Sequence, residues 1–157
     1  MIIAPWLAGS GRTGGQEERT MTDTIRLVEY FYVLVPDKPG EGLAILKHLR
    51  DEEVNLLAFS GFPEARKAQL DFIPADPVAF KAAARKIRLK PVGPKKAFLI
   101  SGEDRVGAMV DILSCLAAAG INVTAVDAIA ASGGQFCCLL WVKPREVKRA
   151  AKAFGIG

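Results

Sequence analysis

Histidine is nearly absent from this sequence, and cysteine is scarce. The 157 residues include one histidine, His48, and three cysteines, Cys115, Cys137 and Cys138. A single imidazole argues against a histidine-ligated metal site and leaves one general base of that type. Three cysteines, two of them adjacent, form neither a disulfide framework nor a metal-ligand spacing, which points to a reducing, cytoplasmic setting. Long apolar runs are missing too: no stretch reaches the roughly 18 residues that a membrane-spanning helix needs. No nucleophile–base motif surrounds Ser60, Ser101, Ser114 or Ser132. No catalytic residue, metal or cofactor is therefore expected, and the protein reads as a non-enzyme.

Half of the residues are hydrophobic and 24% are charged, which is ample for a buried core and too apolar for a disordered chain. The length fits one ordinary domain or two small ones. Residues 1–22 read as a disordered leader or extension, with Met21 as the functional start. Gly9–Gly15 within it lacks the Lys-Ser/Thr ending and the preceding strand of a phosphate-binding loop, and reads as flexible chain. The formal net charge of +4 lies downstream. Residues 21–89 carry ten basic and ten acidic side chains, whereas residues 90–157 carry nine and five. Lys143, Arg145, Lys148, Arg149 and Lys152 crowd the last helical segment, most simply as a solvated face.

The chain repeats itself. Shifted by 67 residues, its middle falls on its end without a gap. Asp37-Lys38-Pro39-Gly40 falls on Asp104-Arg105-Val106-Gly107, and Leu46 and Leu49 on Leu113 and Leu116. Val54-Asn55-Leu56 falls on Ile121-Asn122-Val123, and Pro77 on Pro144. Each copy has a β-branched and aromatic strand, a Gly-ended turn, a helix with leucines at helical spacing, a hairpin, and a second helix opened by proline. In the first copy the elements fall at 25–35, 41–52, 54–60, 68–73 and 77–87. A short fourth strand at 88–93 follows before Gly93-Pro94 breaks the chain. In the second copy they fall at 96–101, 107–119, 121–128, 135–142 and 144–154, and a fourth strand is missing or nearly so. The fold class is α+β: two tandem ferredoxin-like βαββαβ units, the second lacking most of its last strand, at 23–93 and 94–157. Two sheets and four helices would share the core. The missing strand leaves the edge of the second unit's first strand open, to be closed by the other unit, the leader or a second chain.

The turn after each first strand is the position that offers chemistry. Gly40 and Gly107 let another molecule approach the backbone, and the free N–H groups of the following helix suit a carboxylate. Asp37 and Asp104 offer a carboxylate to an ammonium group, and Asn55 and Asn122 offer both donor and acceptor atoms. The same residues also have plainer readings: an Asx-turn, a glycine required by the turn, and a loop cap before the second strand. His48, where Cys115 stands in the other copy, reads as a helix-packing position. The side chains of Cys137 and Cys138 point to opposite faces of a strand.

Asp-Lys-Pro-Gly, the leucine-rich helix and Val-Asn-Leu, repeated as Asp-Arg-Val-Gly, Leu113–Leu116 and Gly120-Ile-Asn-Val, resemble the ACT domain, an amino-acid-binding regulatory module. The resemblance covers residues 25–154. It implies ligand binding at interfaces between domains through the first turn and the start of the second strand. By position these are Asp37, Lys38, Pro39, Gly40, Asn55 and Leu56 with Asp104, Arg105, Val106, Gly107, Asn122 and Val123. The expected function is non-catalytic binding of a small molecule, a free amino acid, by a homodimer that a separate protein partner reads, with no membrane association. The alternative is a ligand-free interaction module acting through the basic helix or an open sheet edge. The topology is also that of an RNA-binding module, whose third strand carries a Lys/Arg-Gly-Phe pattern. Gln135-Phe136-Cys137-Cys138 lacks it, so nucleic acid is not an expected partner.

Overall fold

Thr24–Pro36 is rich in β-branched and aromatic residues and forms one strand of 13 residues, β1, which buries Phe31, Val33 and Val35 on one face. The computed structural model describes residues 23–156; the expected leader at 1–22 lies outside them. After β1 come α1 (Glu41–Asp51), β2 (Leu56–Glu64), β3 (Lys67–Pro74) and α2 (Pro77–Lys86). The order then recurs as β4 (Val92–Glu103), α3 (Ala108–Ala118), β5 (Val123–Ala131), β6 (Gln135–Val142) and α4 (Val147–Ala153). Pro144–Glu146 is a 3₁₀ turn, so the last helix is shorter than its sequence pattern suggests. Asp76 caps α2 by accepting the N–H groups of Val78 and Ala79 at 2.7 and 3.2 Å, with Pro77 behind it.

All six strands form one antiparallel sheet, ordered β2-β3-β1-β4-β6-β5, rather than two sheets. The expected strand at 88–93 and the expected strand at 96–101 are one continuous strand, β4. Gly93-Pro94 does not break it. Gly93 sits at φ 143°, and a Cβ there would lie 2.8 Å from the Tyr30 carbonyl oxygen and 2.9 Å from the Phe31 ring. Only glycine fits that close approach, and β1 answers with a register shift between Tyr30 and Tyr32. The start of β4 borders the first half, and its remainder is the first strand of the second half. The start of β1, Thr24 to Val28, runs beside Ala97 to Ser101 of β4. That closes the edge which the sequence leaves open: the other half covers it.

The 67-residue match carries one gap. β3 and β6 both have eight residues but start at Lys67 and Gln135, an offset of 68. The hairpin Ser132-Gly133-Gly134 is one residue longer than Ala65-Arg66, and the link to Pro144 is one residue shorter than the link to Pro77. Asp71 is thus the counterpart of Leu139, not of Cys138.

The helices cover one face of the sheet. One core gathers Phe31, Val33, Phe72 and Phe80 under α1 and α2. A second gathers Phe98, Ile100, Ile112, Leu140 and Phe154 under α3 and α4. The opposite face curls inward and buries a third core of Ile73, Ala97, Leu139 and Trp141. Ala58 of β2 and Ala125 of β5, from the two outermost strands, both pack against it. Ser60 on β2 donates to the Asp127 carboxylate on β5 at 3.5 Å, so the sheet's two edges face each other. No described helix is long and apolar enough to cross a membrane.

Candidate functional site

Gly40 and Gly107 precede α1 and α3 at φ 95° and 83°, in the left-handed region, and no side chain caps either helix. A glycine is required at both points by conformation, and a Cβ would meet nothing closer than 3.9 Å. The backbone beside each glycine is open to another molecule. Asp37, Lys38, Pro39 and Gly40 are all exposed, as are Asp104, Val106 and Gly107.

Arg105 differs from its neighbours in the turn. Its guanidinium donates to both carboxylate oxygens of Asp23, each at 3.1 Å, and to Asp111 at 2.9 Å. The Asp23 side chain is fully buried, and the hydrogen bonds to Asp23 and then to Asp111 hold Arg105 in its charged form. Arg105 therefore ties the second turn to the start of β1.

Asn55 and Asn122 are exposed, and Leu56 and Val123 are half-buried at the starts of β2 and β5. They do not lie beside the turn of their own half. Pro36 and Glu64 both pair with Lys67, which puts the first turn next to the β2–β3 hairpin. Leu56 pairs with Pro74, eight residues back along β2, about 26 Å at ~3.3 Å per residue. The second half repeats this, with Asp104 N–H donating to the Gly134 carbonyl of its own hairpin at 2.8 Å. One chain does not bring a turn and the asparagine of the same half together.

His48 Nε2 lies 2.9 Å from the Ala83 carbonyl of α2, and Cys115 Sγ lies 3.6 Å from the Ala153 carbonyl of α4. Equivalent positions thus bridge the helix pair in each half. Among the described residues no group of three or more His, Cys, Asp or Glu is placed to hold a metal ion.

A cavity of about 780 Å³ opens on the inner side of the curl. The β4–β6 ladder stops at Phe98 and Leu140, and beyond that point the two strands part. Tyr30, Phe62 and Trp141 form an aromatic wall, with Trp141 edge-on to Tyr30 at 6.2 Å and to Phe62 at 6.4 Å. Gln69 and Asp71 also line the cavity, and Gln69 Nε2 donates to Asp71 Oδ1 at 2.8 Å. Asp71 is only 3% exposed, and burial raises its pKa above the usual carboxylate range, with Gln69 and Lys95 opposing the rise. Burial and then the Asp71 charge raise the pKa of the Tyr30 phenol. Sequence reasoning missed this cavity: its aromatic side chains sit on three strands distant in sequence, and only the curl brings them together.

No protein family matches the sequence, and no curated protein matches it either. Solved structures do match. A protein from Bacteroides thetaiotaomicron shares 18% identity over 83% of this chain and 88% of its own, with a TM-score of 0.72. The aspartate kinase regulatory subunit from Thermus thermophilus, in a ligand-free form, shares 15% identity over 85% and 94%, with a TM-score of 0.59. The aspartokinase alpha and beta subunits share 18% over 85% and 97%, with a TM-score of 0.57. At these identities what is shared is the fold: this chain has the ACT-like α+β architecture of aspartate kinase regulatory subunits.

Proposed function

We propose that the protein is a non-catalytic regulatory module of two tandem ACT-like units that binds a free amino acid. The observation that carries this reading is the duplicated turn: two left-handed glycines, 67 residues apart, each before a helix whose N-terminus no side chain caps. Uncapped N–H groups at a helix start favour a carboxylate. Asp37 and Asp104 stand ready for the ammonium group. Turn and asparagine lie at opposite ends of each half, so a ligand that uses both draws them from different halves, of one chain or of two. A homodimer is the form this proposal takes. Binding would select one arrangement of the two copies, and a separate partner would read it.

The ligand-free alternative rests on the exposed outer strands β2 and β5, which end the sheet. Thermal-shift titration with the common amino acids separates the two. A melting temperature that climbs with the concentration of one amino acid is expected. Asn55→Ala and Asn122→Ala should weaken that response while leaving the unliganded melting temperature nearly unchanged. No shift at millimolar concentration with any amino acid would favour the alternative.

A further inference from the structure

The cavity inside the curl is chemically distinct from the turns and shares no residue with them. Its wall is largely apolar, built around the buried Trp141 ring with Tyr30 and Phe62 edge-on to it.

The charges around the cavity are unequally committed. Lys96 is paired with Glu29, and Lys95 sits 4.6 Å over the Tyr32 ring. Lys143 and Lys148 are exposed and form no ion pair among the described residues. The carboxylates on the lining are Glu64 and Asp71, the latter held by Gln69. Two cations without an ion pair among the described residues therefore line an apolar chamber with an aromatic wall. The volume, about 780 Å³, lies within the ~300–1,000 Å³ usual for small-molecule sites.

We propose that this cavity is a second ligand site, for an amphipathic organic anion with a flat apolar body. The body would lie against Tyr30, Phe62 and Trp141. A carboxylate- or sulfonate-type group would sit between Lys143 and Lys148. This goes beyond the amino-acid reading and does not depend on it.

The test uses the full chain with 8-anilinonaphthalene-1-sulfonate as probe. Trp6→Phe leaves Trp141 as the only indole, so energy transfer from it reports bound probe, and the variants below locate it in the cavity. One saturable site with such transfer is expected. Lys143→Glu/Lys148→Glu should weaken binding by about tenfold or more, the scale of a lost charged hydrogen bond. Lys47→Glu/Lys90→Glu makes the same change in net charge away from the cavity and should leave affinity intact. Ala125→Phe, which fills the chamber, should abolish binding, with melting temperature as the check on folding. Absent or non-saturating binding overturns the proposal, as does equal affinity in the two lysine variants. Neither result touches the amino-acid site, whose readout is the asparagine variants.

Discussion

Glu29 and Lys96 occupy the same position in the two halves, 67 residues apart, and they pair with each other. They are register partners on β1 and β4, and Lys96 Nζ donates to Glu29 Oε1 at 2.9 Å. A position that pairs with its own counterpart lies on the approximate two-fold axis relating the halves. On either side of it, β1 and β4 exchange roles.

That pair is partly exposed, so its contribution to stability is small. Glu29→Lys should cost about 0.2–1 kcal/mol, and the charge swap Glu29→Lys/Lys96→Glu should recover most of it. Urea denaturation of the four-member cycle measures the coupling. A swap no better than the single variant would show that the pair carries no energy of its own.

The Arg105–Asp23 contact should matter more, because the Asp23 carboxylate is fully buried. Arg105→Ala strands that carboxylate and is expected to lower the melting temperature more than Glu29→Lys does. Gly102→Ala should act through the same contact, since a Cβ there would lie 2.0 Å from Asp23 Oδ1 and 2.9 Å from the Phe136 ring. Hydrogen exchange should then rise first at Thr24–Val28, the part of β1 that closes the second half.

Asp71 makes stability depend on pH with a definite sign. Burial raises its pKa in the folded state, so the folded protein holds that proton more tightly than the unfolded chain does. Its contribution is most favourable at acid pH, below the unfolded value, and declines as pH rises through the raised folded value. Asp71→Asn keeps an acceptor for Gln69 and removes the charge. The variant should melt close to the parent at pH 3.5 and above it at pH 8. A constant difference across that range would mean that Asp71 does not titrate as described.

Cys138 is buried, and burial pushes its thiol pKa up to about 11. Its neighbour Cys137 points to the opposite face and is half-exposed. Iodoacetamide at pH 8 should label Cys137 well before Cys138, with mass spectrometry locating the adduct. Equal labelling would indicate opening of β6.

Much of the fold could be read from local patterning. Leucines at helical spacing, prolines at Pro77 and Pro144 and glycines before two helices define elements whose causes lie within a few residues. The repeat was visible because turn and cap residues tolerate few replacements. The extra hairpin residue was not: Ser132-Gly133-Gly134 reads as a turn at either length, and only strand pairing shows that β6 has slipped by one. The sharing of β1 and β4 was hidden for a related reason. Gly93-Pro94 is a breaker by local chemistry, and only the bulge at Tyr30 on the neighbouring strand lets it continue.

The candidate residues divide the same way. The sequence by itself determined that two Asp-x-x-Gly turns and two asparagines exist, because these are one-residue demands of backbone and hydrogen bonding. Only the tertiary structure decided that each turn stands a strand's length from its asparagine and that Arg105 is taken up by Asp23. It alone made the cavity, because curling brings β2 against β5 and gathers Tyr30, Phe62 and Trp141 from strands that no local pattern connects.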